Sequence, residues 1–283
     1  MGKNSAIEWT HHTFNPWWGC AKVSPACRNC YAERWSKRLG SSYWGALADR
    51  RFFGEKHWRE PLKWNKQAEK YKIRKRVFCA SMADVFEDRR DLDKWRDKLW
   101  TIIDQTSWLD WLILTKRTEN ISSLIPWNSE WPSNVWIGAT IETQEIAEKR
   151  ILELLKHPAK IRFVSCEPLL SALNLSFWLC ENSETPLKLK NCIDWVIAGG
   201  ESGPYARPTH PAWVCDLRDQ CLKADIPFHF KQWGIWQPVK ESNNENHRTI
   251  KLNSVNGETI TLSKKGKKAA GRILDGKTWD GVP

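Results

Sequence analysis

Trp111-Leu-Ile-Leu-Thr115, Val135-Trp-Ile-Gly-Ala-Thr140 and Ile161-Arg-Phe-Val-Ser165 are short, nearly unbroken apolar runs rich in branched and aromatic side chains. Runs of this length and composition read as strands buried on both faces. The first leads into Lys-Arg and a short helix near Glu119 to Leu124, and the second into a helix from about Gln144 to Leu155. Working outward, Val77-Phe-Cys-Ala precedes a helix around Leu92 to Thr106, and Trp195-Val-Ile-Ala-Gly precedes Gly-Glu-Ser-Gly-Pro. Phe228-His-Phe-Lys precedes Gln-Trp-Gly, and Thr13 to Trp18 supplies a first strand. Seven β segments alternating with helical ones predict parallel βα repeats.

Such repeats build either an open sheet or a barrel, and the polar residues favour the barrel. Each segment hands over at its carboxyl end to polar or charged residues: Cys20, Asp84 and Glu87, Lys116 and Arg117, Glu142, Glu167, Glu201, then Lys231 and Gln232. In a parallel barrel these ends gather on the face that carries chemistry. The expected fold is therefore an α/β, partial parallel (β/α) barrel in one domain spanning 1–283. Residues 41–73, basic and Trp-rich, read as an insertion beside the first repeat, and 171–191 as a second one. Residues 240–283 read as a C-terminal extension in which Glu241 to His247 is a polar linker and Trp279 docks back.

The 283-residue composition, 41% hydrophobic with 15 Gly and 14 Pro, excludes a disordered or collagen-like chain. No apolar run reaches the length of a membrane span or forms a signal-peptide core, so the expectation is a soluble cytoplasmic protein without a membrane partner. A net charge of +11 favours polyanionic partners, with nucleic acid the leading class. The 20 Trp can stack on bases, although most are expected in the core.

Nine cysteines without a secretory signal argue against a disulfide framework. Cys20, Cys27 and Cys30 stand apart as Cys-x6-Cys-x2-Cys, followed directly by a helix-like Tyr31-Ala-Glu-Arg-Trp-Ser-Lys-Arg-Leu. Three converging thiolates can hold a four-iron cluster with one iron left open. With His11 or His12 they could instead complete a Cys3His zinc site. Both readings stand on the spacing alone.

Asn15-Pro-Trp-Trp-Gly-Cys, Ser81-Met-Ala-Asp-Val-Phe, Leu114-Thr-Lys-Arg, Cys166-Glu-Pro-Leu-Leu, Gly199-Gly-Glu-Ser-Gly-Pro, Phe230-Lys-Gln-Trp-Gly and Leu274-Asp-Gly-Lys-Thr-Trp run nearly end to end. With this set the chain resembles the phage-associated three-cysteine family of uncharacterised proteins. That family is similar to radical S-adenosylmethionine enzymes, including the photoproduct-lyase branch. The resemblance implies a [4Fe-4S] cluster on Cys20, Cys27 and Cys30, and S-adenosylmethionine as a cofactor. The first gap of six departs from the superfamily's Cys-x3-Cys-x2-Cys.

Under that resemblance Gly199, Gly200 and Glu201 form a cofactor wall, and Asp84 and Glu142 offer further polar contacts. Ion pairing with Lys116, Arg117 and Lys231 is the structural alternative for the acidic residues. Cys166, Glu167 and Lys116 are the catalytic candidates, Cys166 as a hydrogen-atom donor or else as a buried structural thiol. Arg207 and His210 could hold a phosphate or carboxylate. His229, between two Phe, reads as a core histidine. The expected activity is a radical-type enzyme acting on nucleic acid or a nucleotide, in DNA base modification or photoproduct repair, with DNA favoured over RNA and an electron-donor protein as a further partner. The rival reading is a noncatalytic nucleic-acid-binding protein with a structural zinc.

Overall fold

The computed structural model describes residues 4–40, 42–179, 192–239, 248–253 and 259–283. The predicted linker from Glu241 to His247, and residues 180–191 of the second insertion, lie outside the described residues. Seven strands form one sheet: β1 (His12–Phe14), β2 (Lys75–Cys79), β3 (Leu109–Thr115), β4 (Val135–Thr140), β5 (Ile161–Cys166), β6 (Trp195–Gly199) and β7 (Phe228–Gln232). They are hydrogen-bonded in sequence order. A doubly wound open sheet reverses its strand order at a switch point. A monotonic parallel order is the winding of a (β/α) barrel, and the fold class is the expected α/β partial barrel.

The chain divides into two compact units, Met1–Thr140 with Arg150–Phe163, and Ile141–Lys149 with Val164–Pro283. In the first, β1 to β4 pair in parallel, with Val77 opposite both His12 and Trp111, and Trp111 opposite Val135. Their side chains are almost wholly buried, with Val77, Trp111, Ile113, Val135 and Ile137 at zero exposure. This is why the sequence shows continuous rather than alternating apolar runs. Gly138 in β4 lies under the Phe163 ring, where an added Cβ would stand 2.6 Å from Cε1. β1 is shorter than the predicted 13–18, because Pro16 cannot continue a ladder. Trp18, Gly19 and Cys20 make single bridges to Arg51, Ala83 and Trp44 instead. The basic insertion folds into α2 (Glu55–Trp58) and α3 (Glu60–Tyr71), and α4 (Asp93–Asp104) follows β2. Eleven of the twenty Trp are buried, so this residue serves packing first and its abundance is no mark of base stacking.

In the second unit, β6 pairs with β7 in parallel, and α7 (Pro211–Lys223) connects them. Gly281 N donates to Phe228 O (3.0 Å), Phe230 N donates to Trp279 O (2.9 Å), and Asp280 bridges His229. The closing segment thereby covers the open edge of β7, which would otherwise present unpaired amides. A small antiparallel sheet, β8 (Trp236–Val239), β9 (Thr249–Asn253) and β10 (Thr259–Lys264), packs Trp236, Leu262 and Ile235 with Ala206. Cys192 is disulfide-bonded, although the sequence argued against a disulfide framework; Cys20, Cys27, Cys30, Cys79, Cys166, Cys215 and Cys221 are free.

Candidate functional site

The three-cysteine loop starts where Pro16 ends β1. Asn15 anchors that exit: its Oδ1 accepts from Met82 N (2.7 Å), its Nδ2 donates to Ser81 Oγ (3.1 Å), and its carbonyl accepts from His57 Nε2 (2.9 Å). Gly19, at φ +114, passes close beneath Tyr43, and its amide donates to Met82 O (3.0 Å). The Tyr31 hydroxyl, at the start of α1 (Tyr31–Arg38), donates to Ser81 O (2.6 Å). These bonds fix both ends of the segment that carries Cys20, Cys27 and Cys30. All three thiols are free and half-buried.

Beneath Cys20 lies a buried ionic cluster. Arg117 Nη1 donates to Asp84 Oδ2 (3.0 Å) and to Cys20 Sγ (3.5 Å), and Nη2 donates to Ala21 O (2.8 Å). Asp84 Oδ1 accepts from Thr115 Oγ1 (2.7 Å) and Phe86 N (3.1 Å), and Oδ2 also accepts from Lys116 N (3.0 Å). Asp84, expected as a cofactor contact, thus spends four hydrogen bonds joining the ends of β2 and β3 to the cysteine loop. Glu87 receives Arg50 in a fork, Nε at 3.0 Å and Nη2 at 2.6 Å. The remaining Arg50 donors go to the carbonyls of Tyr43, Ala48 and Gly45. Arg96 holds the backbone of the same turn through Val85 O (3.0 Å) and Glu87 O (2.8 Å).

Burial pushes the Cys20 thiol up to about 12; Asp84 adds to this and Arg117 opposes it. The Arg117 guanidinium is pulled down by burial but raised overall by Asp84 and Cys20 beside it. Lys116 is half-buried, and among the described residues its ammonium has no hydrogen-bond or ion-pair partner.

The second unit carries its own polar cluster at the ends of β5, β6 and β7. Glu167 receives Lys231 Nζ at 2.6 and 2.9 Å and Gln232 Nε2 at 3.1 Å, and Gln232 also donates to Ser202 Oγ (3.0 Å). Glu201 is buried and clasped by Arg207, whose backbone N (2.7 Å), Nε (3.0 Å) and Nη2 (2.6 Å) all donate to it. Arg207 is thereby committed to a carboxylate of its own chain. Gly200 and Gly234 cross at van der Waals limits: an added Cβ on Gly200 would stand 2.6 Å from the Trp233 carbonyl carbon. Gly200 and Gly234 are thus required by the backbone itself. Glu142 is wholly buried, with its carbonyl accepting from Leu170 N (2.9 Å). Cys166 is also fully buried, and its thiol is raised well above the ordinary value by burial, with Cys221 nearby. His210 caps α7 by accepting Ala212 N at Nδ1 (3.2 Å), and His229 is buried beside Trp195.

The family described as Protein of unknown function (DUF5131) matches residues 4–283. The chain belongs to this family. No curated protein matches it. Among solved structures, a cysteine-to-alanine variant of spore photoproduct lyase aligns over 95% of this chain and 72% of its own, at 12% identity and a TM-score of 0.48. The spore cortex-lytic enzyme SleL of Bacillus megaterium aligns over 89% and 65%, at 9% identity and a TM-score of 0.25.

For a metal, this DUF5131 chain offers the chemistry of three free thiols in one short loop, with a guanidinium on the first sulfur. In its chemistry, though not in the placement of its sulfurs, that donor set is of the kind that holds a cluster through three cysteines. Among the described residues, no group of three or more His, Cys, Asp or Glu is placed to hold a metal ion. His11 and His12, the candidate fourth zinc ligands, sit at the amino end of β1. His11 Nδ1 accepts from Arg76 N (2.9 Å), and His12 stacks on Trp64 with ring centroids 4.5 Å apart. Sequence reasoning missed Arg50 and Arg96 altogether. Both lie in charged stretches that look solvated, and only the Glu87 turn they clasp gives them a place in the interior. No helix of the described residues is long and apolar enough to cross a membrane.

Proposed function

We propose that this protein is an iron–sulfur enzyme of the radical S-adenosylmethionine type, with Cys20, Cys27 and Cys30 as cluster ligands and nucleic acid or a nucleotide as substrate. The observation that carries the reading is the three free thiols in one pinned loop at the carboxyl end of the first parallel strand. When bound, such a cluster supplies an electron at an open iron. The chain's own residues prepare the ligands. Metal binding needs thiolates, and Arg117, donating to Cys20 Sγ, stabilises the anion that burial disfavours. Arg50 and Glu87 hold the 43–50 turn, whose Gly45 amide donates to Cys20 O (3.0 Å). Lys116, whose ammonium has no partner among the described residues, is the residue of the first unit that we assign to substrate contact. DNA base modification or photoproduct repair is the reaction class that the resemblance brings to this reading.

Iron and sulfide analysis of anaerobically purified protein tests it. The expected content is about four irons and four sulfides per chain, abolished by Cys27→Ala and unaltered by Cys215→Ala. One zinc and no iron would overturn the radical reading in favour of a zinc-stabilised nucleic-acid-binding protein. The polyanion partner is tested separately. DNA retained at low salt should be released as salt rises, with log affinity falling linearly against log salt. Absence of DNA binding at low salt removes that substrate class.

A further inference from the structure

A cavity of about 500 Å³ opens at the amino ends of β1 and β2, the strand ends opposite to those that lead into the cysteine loop. It is lined by Trp64, Gln67 and Tyr71 of α3, by His11 before β1 and by Lys75 at the start of β2. Its volume is that of a small-molecule site. Several of its polar atoms already have partners: the Thr10 hydroxyl lies 3.0 Å from both His12 O and Arg76 O, and Ser5 Oγ accepts Ile7 N. Others do not. Among the described residues the Lys75 ammonium, the Gln67 amide, the Tyr71 hydroxyl and His11 Nε2 have no hydrogen-bond partner.

These groups define a ligand. His11 Nδ1 accepts the Arg76 amide, so the ring proton of the neutral imidazole resides on Nε2. Burial, then Arg76 and Lys75, lower its pKa to about 4, which keeps the ring neutral and Nε2 a donor at pH 7. With Lys75 beside it, this end of the cavity offers two donors and one positive charge, which suits an anion. The Tyr71 ring is 59% exposed at the rim, with Lys70 Nζ 5.7 Å from its centroid, and offers a stacking face. Gln67 supplies both a donor and an acceptor, as the edge of a base requires. Lys66, Lys70 and Lys72 add positive charge along the same stretch, against Glu69 alone.

We propose that this cavity is a nucleotide-binding site, separate from the cysteine loop, in which Lys75 and His11 take the phosphate and Tyr71 and Gln67 take the base. The test is calorimetric titration of the intact protein with AMP, adenosine and a short oligodeoxyadenylate. One AMP per chain is expected. Lys75→Ala should weaken AMP binding about tenfold, as the loss of a charge-assisted contact does, and change adenosine binding less than about twofold. Tyr71→Ala should weaken both. Cys27→Ala should leave AMP binding unchanged, which keeps this site distinct from the proposed cluster. Tighter binding of the oligonucleotide with the same variant pattern assigns the nucleotide to a strand; tighter AMP binding assigns it to a free ligand. No binding of either at about 1 mM, or affinities unmoved by Lys75→Ala and Tyr71→Ala with circular dichroism unchanged, would overturn the proposal.

Discussion

Gly200→Ala lowers the free energy of unfolding by at least about 3 kcal/mol, whereas Gly199→Ala, one residue away, changes it by less than about 1 kcal/mol. The contrast follows from what each new methyl would meet. At Gly200 it runs into the Trp233 carbonyl group, and backbone cannot swing aside as a side chain can. Gly200 N donates to Gln232 O (2.8 Å) and Ile235 N donates to Glu201 O (3.2 Å), so parting the chains there breaks bonds on both sides of the clash. Gly234, at φ +79, makes the reciprocal approach to the Glu201 carbonyl. At Gly199 the added methyl would sit 3.4 Å from the Glu167 side chain and 3.5 Å from Gln232 O, ordinary contacts. Urea unfolding of the two variants provides the measurement. Equal midpoints would show that the crossing is not held as tightly as the structure draws it.

Arg50→Ala destabilises the protein by about 3–5 kcal/mol, the cost of leaving one member of a buried ion pair without the other. The Arg50 side chain has no exposed surface, and that of Glu87 is 5% exposed. Arg117, 3.9 Å from Glu87, can only partly replace the lost charge. Arg50→Lys does not restore stability, because one ammonium cannot span Glu87 and the three carbonyls of the 43–50 turn. The double variant Arg50→Ala with Glu87→Ala should be less destabilised than the two single losses sum to, since it removes both charges together. Chemical denaturation of the four proteins completes the cycle. Strict additivity would mean that the pair does not act as a unit.

The apolar runs made the strands legible because burial on both faces leaves a local imprint: Trp111 to Thr115, Val135 to Thr140 and Ile161 to Ser165 all fall on observed strands. Helices with clear boundaries were equally readable, as α4 and the helix Gln144–Leu154 match their predicted spans within two residues. Strand β1 was less so, because aromatic residues beyond Asn15 extend the apolar pattern while Pro16 ends the ladder. The Cys20, Cys27 and Cys30 spacing is likewise a local signal, carried by eleven consecutive residues.

The assignment of charges to partners was not legible. Asp84, Glu167 and Glu201 look alike in sequence, each a carboxylate near a strand end. Asp84 is held by Arg117 and three further donors, Glu201 by Arg207, and Glu167 by Lys231 and Gln232. Arg50 looks like a surface residue of a basic insertion until Glu87, 37 positions away, is brought against it. Local hydrophobicity and chain stiffness determined where strands and helices form. Only the tertiary structure decided which polar groups are consumed in holding the fold and which, like the ammonium groups of Lys75 and Lys116, have no partner among the described residues, because a buried charge is stable only where distant segments supply its counter-charge and hydrogen bonds.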